Sequence, residues 1–321
     1  MGDTIRFRGT CHDAEPMPNA PRVLIRRLAA MLPIALIGCA PASILAPAGP
    51  IAAANRTILL NALTIMLAIV VPTIIATLAF AWWFRAGNDR ARYRPDFVYS
   101  GRVEMIVWSI PILVILFLGG VIWVGSHDLD PRRPIAPTAG NGAPMEVQVV
   151  SLDWKWLFIY PQQGIATVNM LVLPVGTPVH FRLTSASVMN TFFVPRLGSM
   201  IYTMNGMETE LHLRADRPGT VYGQSAHFSG DGFSDMNFPV RALPPAQFAA
   251  WATQARRRGA ALDTTAYAML ARQSQNDPAR VYGAVQPRLF DAIVLQRLSP
   301  APGPQQGRDG DPHVSPRPPE T

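Results

Sequence analysis

Thr57–Phe84 and Met105–Ser126 are strongly apolar and lack any charged residue for longer than the roughly 20 residues a helix needs to cross hydrocarbon. In the first, about fourteen Leu, Ile, Val and Phe, each favouring insertion by roughly 0.3 to 0.6 kcal/mol, outweigh Asn61 and Pro72. The second is interrupted only by Ser109 and Pro111 and carries Trp108 and Trp123 where interfacial tryptophans belong. After a Pro- and Gly-rich linker over 127–144, the period falls to two. Met145-Val147-Val149, Val179-Phe181-Leu183 and Thr209-Leu211-Leu213 alternate with polar neighbours, which predicts half-buried strands of an antiparallel sandwich or barrel over 145–243. Helical spacing returns at Pro244–Arg258, with Phe248, Trp251, Ala252 and Ala255 on one face. Asp263 is placed to cap a helix over Thr264–Gln273, and Leu289, Phe290, Ile293 and Val294 predict a last helical element within Tyr282–Leu298. The region 244–298 thus reads as a helical, aromatic-rich extension. The tail 299–321 is too rich in Pro, Gly and polar residues to bury a core.

Charge fixes the topology of the two spans. The loop 85–104 holds Arg85, Arg90, Arg92, Arg94 and Arg102, and short arginine-rich loops stay in the cytoplasm, so both flanks face outward. Segment 1–38 reads as a signal peptide preceded by an extension. Arg22, Arg26 and Arg27 precede the apolar run Leu28–Ile37, and Leu36-Ile37-Gly38-Cys39 resembles the lipobox of a bacterial lipoprotein. Cys39 is therefore the lipidation candidate, heading an anchored stretch 39–56 on the outer side; Met17 is an alternative start. The expected location is a bacterial inner membrane, with the C-terminal domain in the periplasm. The only other cysteine is Cys11, so no disulfide or thiolate metal site lies beyond residue 39. A net charge of +7 raises nucleic acid as a partner, but the basic residues are scattered arginines and the single Lys155, which argues against it.

Specific segments narrow the field. Glu104-Met105-Ile106-Val107-Trp108-Ser109-Ile110-Pro111 resembles the start of the second helix in subunit II of haem-copper oxidases. Asp153-Trp154-Lys155-Trp156, Asn190-Thr191-Phe192-Phe193-Val194-Pro195 and Gly230-Asp231-Gly232-Phe233-Ser234-Asp235-Met236 are similar to the quinol-oxidase branch of that family. So is Tyr282-Gly283-Ala284-Val285-Gln286-Pro287-Arg288-Leu289-Phe290-Asp291. The resemblance, to subunit II of cytochrome o-type ubiquinol oxidases, runs from about Cys39 to Leu298. It implies a membrane protein with a two-helix transmembrane hairpin, an all-β cupredoxin-like periplasmic sandwich and a short helical C-terminal extension. It further implies a non-catalytic subunit of a proton-pumping complex with subunits I, III and IV as partners. Membrane lipid surrounds it, and quinol is met through subunit I, which holds the haems and the copper.

In the cytochrome c oxidase branch the same fold binds two copper ions through Cys-x-Glu-x-Cys-x-x-x-His-x-x-Met and one earlier His. Aligned on Met236, those positions are Ser225, His227, Ser229 and Phe233, and the early His is Asn190. Only the methionine remains. Bridging two coppers needs soft thiolates, and serine hydroxyls at neutral pH are neither deprotonated nor soft, so no cofactor is expected in this chain. His227, His180 and His212 remain as stray imidazoles; the last two alternate with inward apolar residues and read as solvated surface side chains. Trp154, Trp156 and Tyr160 occupy positions of electron-entry aromatics in copper-binding members and, without copper, read as packing residues.

From His127 to Leu298 fifteen basic residues face twelve acidic ones, a net of +3 and a poor complement to a basic cytochrome. Glu104 matches a glutamate at the mouth of a proton-uptake channel in related oxidases and serves equally to favour a helix N-terminus. Two other readings stand: a cytochrome c oxidase subunit II with atypical copper ligands, and a membrane-tethered binding lipoprotein.

Overall fold

A computed structural model describes residues 44–92, 97–136 and 144–301 of the chain. The lipidation candidate Cys39, the signal segment 1–38 and most of the tail lie outside the described residues. The two apolar runs form helices α1 (Pro50–Trp83) and α2 (Gly101–Asp128), both long and apolar enough to cross a membrane. Each begins earlier than its charge-free run. Arg56 sits inside α1 because the first two turns lie against the β domain: the amides of Ala48 and Ala52 donate to the carbonyls of Arg196 (2.7 Å) and Leu197 (3.1 Å). Asp216 in turn donates its amide to Ala48 (2.8 Å). An amide that would be orphaned at a helix start is thus satisfied by a neighbouring domain. Pro50, with no N–H to lose, suits the first helical position.

The β domain contains twelve strands in two sheets. The first ten are β1 (Met145–Leu152), β2 (Lys155–Tyr160), β3 (Ile165–Val168), β4 (Leu171–Pro174), β5 (Val179–Ser185), β6 (Asn190–Phe193), β7 (Met200–Thr203), β8 (Thr209–Leu213), β9 (Gly219–Ser225) and β10 (Asn237–Leu243). Then follow α3 (Pro245–Arg258), β11 (Ala260–Leu262), α4 (Thr264–Leu270), β12 (Arg280–Val285) and α5 (Leu289–Val294). The seven-stranded sheet runs β11-β12-β3-β2-β1-β5-β8 and the five-stranded sheet β4-β10-β9-β6-β7. The sheets are mixed rather than purely antiparallel: β1 with β5, β4 with β10 and β11 with β12 are parallel. An alternating pattern reports which face is buried and is blind to strand direction.

The helical element expected within Tyr282–Leu298 is present but shorter than that range. Tyr282 to Val285 belong to β12, which pairs with β3 and β11, and only Leu289–Val294 turn helical. The sandwich therefore does not stop at residue 243. Its seven-stranded sheet is buried on both faces at β2 and β3, and β2 shows why. Trp156, Phe158 and Tyr160 point toward the five-stranded sheet, while Leu157 and Ile159 point outward into a second core built from Leu262, Tyr267, Leu270, Leu289, Phe290 and Ile293. A strand covered on both sides reads as a continuous apolar run, as Trp156–Tyr160 does. Fully burying each of Leu157 and Ile159 contributes about 1.5–3 kcal/mol. Between the sheets Phe238 packs on Trp156 (5.7 Å between ring centres), Phe158 (5.0 Å) and Phe192 (5.7 Å).

Asp263 caps α4 by accepting from the amide of Ala266 (2.8 Å). A buried ion pair ties the extension to β2. Lys155, with a side chain only 2% exposed, lies 3.0 Å from Asp277 and donates to the Arg272 carbonyl (2.7 Å) and the Ser274 hydroxyl. Burial alone pushes the Asp277 carboxyl up; the Ser274 hydroxyl, the Lys155 ammonium and Arg280 together hold it below its ordinary 3.8. Asp277→Ala leaves an uncompensated buried ammonium and is expected to cost about 3–5 kcal/mol in denaturant unfolding of the full chain. Lys155→Met costs less, because Asp277 keeps Arg280 and Ser274. The carboxyl's contribution is complete above its unfolded pKa and is lost as pH falls through the lower folded value, a loss that Asp277→Ala should abolish.

Candidate functional site

The six positions aligned with a copper pattern converge at one end of the sandwich. Asn190 opens β6, Ser225 closes β9, Ser229 lies in the following loop, and Phe233 starts a 3-10 turn, Phe233–Asp235, that leads to Met236 at the mouth of β10. Pairing of β9 with both β6 and β10 brings them together, and the Ser225 amide donates to Met236 O at 2.9 Å. Asn190, Ser225, Ser229 and Met236 are 1, 5, 8 and 2% exposed, so their polar atoms must find partners within the protein. They do. Ser225 Oγ donates to Asn190 Oδ1 (3.1 Å) or to the His227 carbonyl (3.3 Å), and Ser229 Oγ lies 3.7 Å from Met236 Sδ. His227 is half-exposed and its ring meets Tyr202 edge-on at 5.9 Å. Phe233 packs edge-on against Phe228 at 5.7 Å.

The aromatic residues close the same end. Asp153 and Trp154 form the two-residue turn between β1 and β2, with Leu152 paired to Lys155. Trp154 has φ 62, a left-handed conformation that costs an L-residue about 1–2 kcal/mol. Its indole repays this: Nε1 donates to the Ser229 carbonyl (3.0 Å), and the ring lies flush on Gly232. Trp156 Nε1 reaches Met236 O at 3.4 Å, and Tyr160 Oη accepts from the Val172 amide at 2.9 Å. Burial holds the Tyr160 phenol neutral by pushing its pKa up. All three are core side chains, Trp154 5% exposed and the others fully buried. Asn190, Ser225, Ser229 and Met236 thus present neutral groups engaged with each other or with nearby backbone atoms. Two hydroxyls, an amide and a thioether do not provide the bridging thiolates that a copper pair needs.

Glu104 lies far along the chain from this cluster, in the first turn of α2; its amide donates to Ser100 O (3.0 Å), and its side chain is exposed without an ion pair among the described residues. The solvated reading of His180 and His212 is corrected. They face each other across β5 and β8, half-buried, with parallel rings 4.5 Å apart at 8°. Burial first, then neighbouring His180, pushes the His212 pKa down, and the Glu210 charge opposes this. Glu210, absent from the sequence reading, joins them at 3.7 Å from His180 Nε2. The strand pattern Glu210-x-His212 was readable, but its pairing with His180 across 30 residues of chain was not.

Residues 147–243 match the family model described as cytochrome C oxidase subunit II, periplasmic domain, and residues 256–300 match the COX aromatic rich motif. The chain is 44% identical over 280 residues to ubiquinol oxidase subunit 2 of Acetobacter aceti, covering 87% of this chain and 91% of that protein. Cytochrome bo(3) ubiquinol oxidase subunit 2 of Pseudomonas aeruginosa is 44% identical over 266 residues, 83% of this chain and 80% of that one. Quinol oxidase subunit 2 of Bacillus cereus is 32% identical over 247 residues, 75% and 84% respectively.

A β-carbon added at Gly232 would sit 2.3 Å from Trp154 Cδ2. Gly232→Ala therefore forces the indole or the 3-10 turn to move, at an expected cost of about 1–3 kcal/mol. Lowered thermal stability of the full chain with altered tryptophan fluorescence is the expected reading; an unchanged melting temperature and spectrum would refute the packing.

Proposed function

The chain belongs to the subunit II family of the ubiquinol oxidases, and from that premise we propose how it serves the complex. It is subunit II of a quinol oxidase, an oxidoreductase complex, and two membrane-spanning helices carry its sandwich. It relays no electrons itself. Reducing equivalents enter from quinol in the bilayer through subunit I, which holds the haems and copper and passes the electrons to oxygen. This chain caps the outer face of that subunit, alongside subunits III and IV. The lipidated Cys39 and the periplasmic placement of the β domain follow from the lipobox and the arginine-rich loop.

One observation carries the electron-entry reading. The buried positions Asn190, Ser225, Ser229 and Met236 hold neutral side chains engaged with each other or with nearby protein atoms, a donor set ill suited to a copper pair. The net positive charge of the outer region agrees, since a basic soluble cytochrome would be repelled. The purified complex containing this chain is expected to consume oxygen with ubiquinol and not with reduced cytochrome c; the opposite preference would overturn the reading.

Glu104 is assigned to proton entry at the cytoplasmic end of α2. Its carboxylate also stabilises the helix start by about 0.3–1 kcal/mol, and the two roles separate experimentally. Glu104→Gln should lower turnover while the subunit stays assembled, whereas full turnover in assembled enzyme would remove the proton role.

A further inference from the structure

His180, Glu210 and His212 form the one cluster of three potential metal-ligating side chains among the described residues, and nothing in the oxidase chemistry uses it. One ligand atom from each lies within 4.8 Å of the others. The arrangement follows from strand register. His180 on β5 is directly opposite His212 on β8, and Glu210 lies two residues from His212 on the same face of β8. His180 Nε2 is buried and makes no hydrogen bond, and 3.7 Å from the Glu210 carboxylate is too long for one. A buried ring nitrogen left so costs stability unless something lies between it and the carboxylate.

The surroundings favour a cation. Arg182, the residue opposite Glu210, is turned away: it grips Glu208 through two bonds (2.6 and 2.7 Å), reaches Glu146 (3.3 Å) and Asp291 (3.6 Å), and lies over the Phe290 ring. Three carboxylates, Glu146, Glu208 and Asp291, thus share one guanidinium, and Glu210 remains available. From these contacts we propose that His180, Glu210 and His212 bind a divalent transition-metal ion of the zinc class, with the fourth coordination position open to solvent or to a partner. Two imidazoles and a carboxylate are a borderline-soft set that zinc favours over magnesium or calcium. Tetrahedral zinc with bonds of about 2.0–2.1 Å places its ligands roughly 3.3 Å apart, so ligand atoms already within 4.8 Å of one another have only a short gap to close. Glu210, 47% exposed, has the freedom to swing inward and leaves an entry path. The ion would pin the edge strand β8 to β5 beside the His212 amide, which donates to Pro131 O (3.0 Å) just beyond the end of α2.

The test uses the purified, chelator-stripped oxidase complex, titrated with Zn2+ against a chromophoric competitor. Wild-type complex is expected to bind one more Zn2+ than the His180→Asn/His212→Asn variant. Glu210→Gln, a change at an exposed side chain, should weaken that site by at least about tenfold, the loss that even outer-shell changes commonly cause. Zn2+ should also protect His180 and His212 of the wild-type complex from diethyl pyrocarbonate, read by mass spectrometry without any substitution. Equal zinc stoichiometry and affinity in wild type and Glu210→Gln, or unprotected histidines at saturating Zn2+, would overturn the proposal.

Discussion

Strands β2 and β3 of the seven-stranded sheet have no face to give to water. Its central strands put Trp156, Phe158 and Tyr160 against the five-stranded sheet and Leu157 and Ile159 against the C-terminal extension, so neither core is complete without the residues beyond 243. A sheet with one such face uncovered would expose a contiguous apolar patch that soluble surfaces rarely tolerate. The extension supplies the cover, adds β11 and β12 to the sheet edge, and locks in place through the buried Lys155–Asp277 pair. That pair contributes less through its own attraction than through the penalty of separating it. The neighbouring Trp154 turn depends on the same rigidity, since a left-handed tryptophan persists only where its surroundings over-determine it.

A rigid sandwich end gives the aligned copper positions a fixed shape, and their chemistry decides what that shape does. Hydroxyl, amide and thioether groups there satisfy one another, and the indoles of Trp154 and Trp156 fasten to Ser229 and Met236. The fold of the family's periplasmic domain is kept while the donor set at these positions is that of a packed protein interior. Docking follows the same logic: both long apolar helices are tied to the sandwich through backbone hydrogen bonds, α1 through Ala48 and Ala52 and the segment after α2 through Pro131. The β domain is thereby held to the two apolar helices at two points.

Much of this was legible in the chain. Long apolar charge-free runs located the two helices long and apolar enough to cross a membrane, and period-two alternation located the strands that have one covered face. The site positions were found from motif spacing, and residue chemistry alone set their donor character. What escaped depended on contacts between distant segments. Tyr282–Val285 reads as part of a helix until β3 offers it a partner, and helix α1 reaches back to Pro50 where the Leu197 carbonyl accepts the Ala52 amide and the Arg196 carbonyl accepts that of Ala48 just before it. His180 and His212 looked solvated because alternation cannot say that two outward-facing strands are neighbours, nor that Glu210 stands beside them.

Copper content of the full-length chain, purified from membranes without its partner subunits after loading with copper, bears most directly on the proposed loss of the relay. The His180→Asn/His212→Asn background removes the separate histidine cluster from the count. The expected result is no copper retained and no spin-coupled two-copper signal by electron paramagnetic resonance. Two coppers per chain that are lost on Met236→Ala would contradict it and return the sandwich to service as an electron entry point.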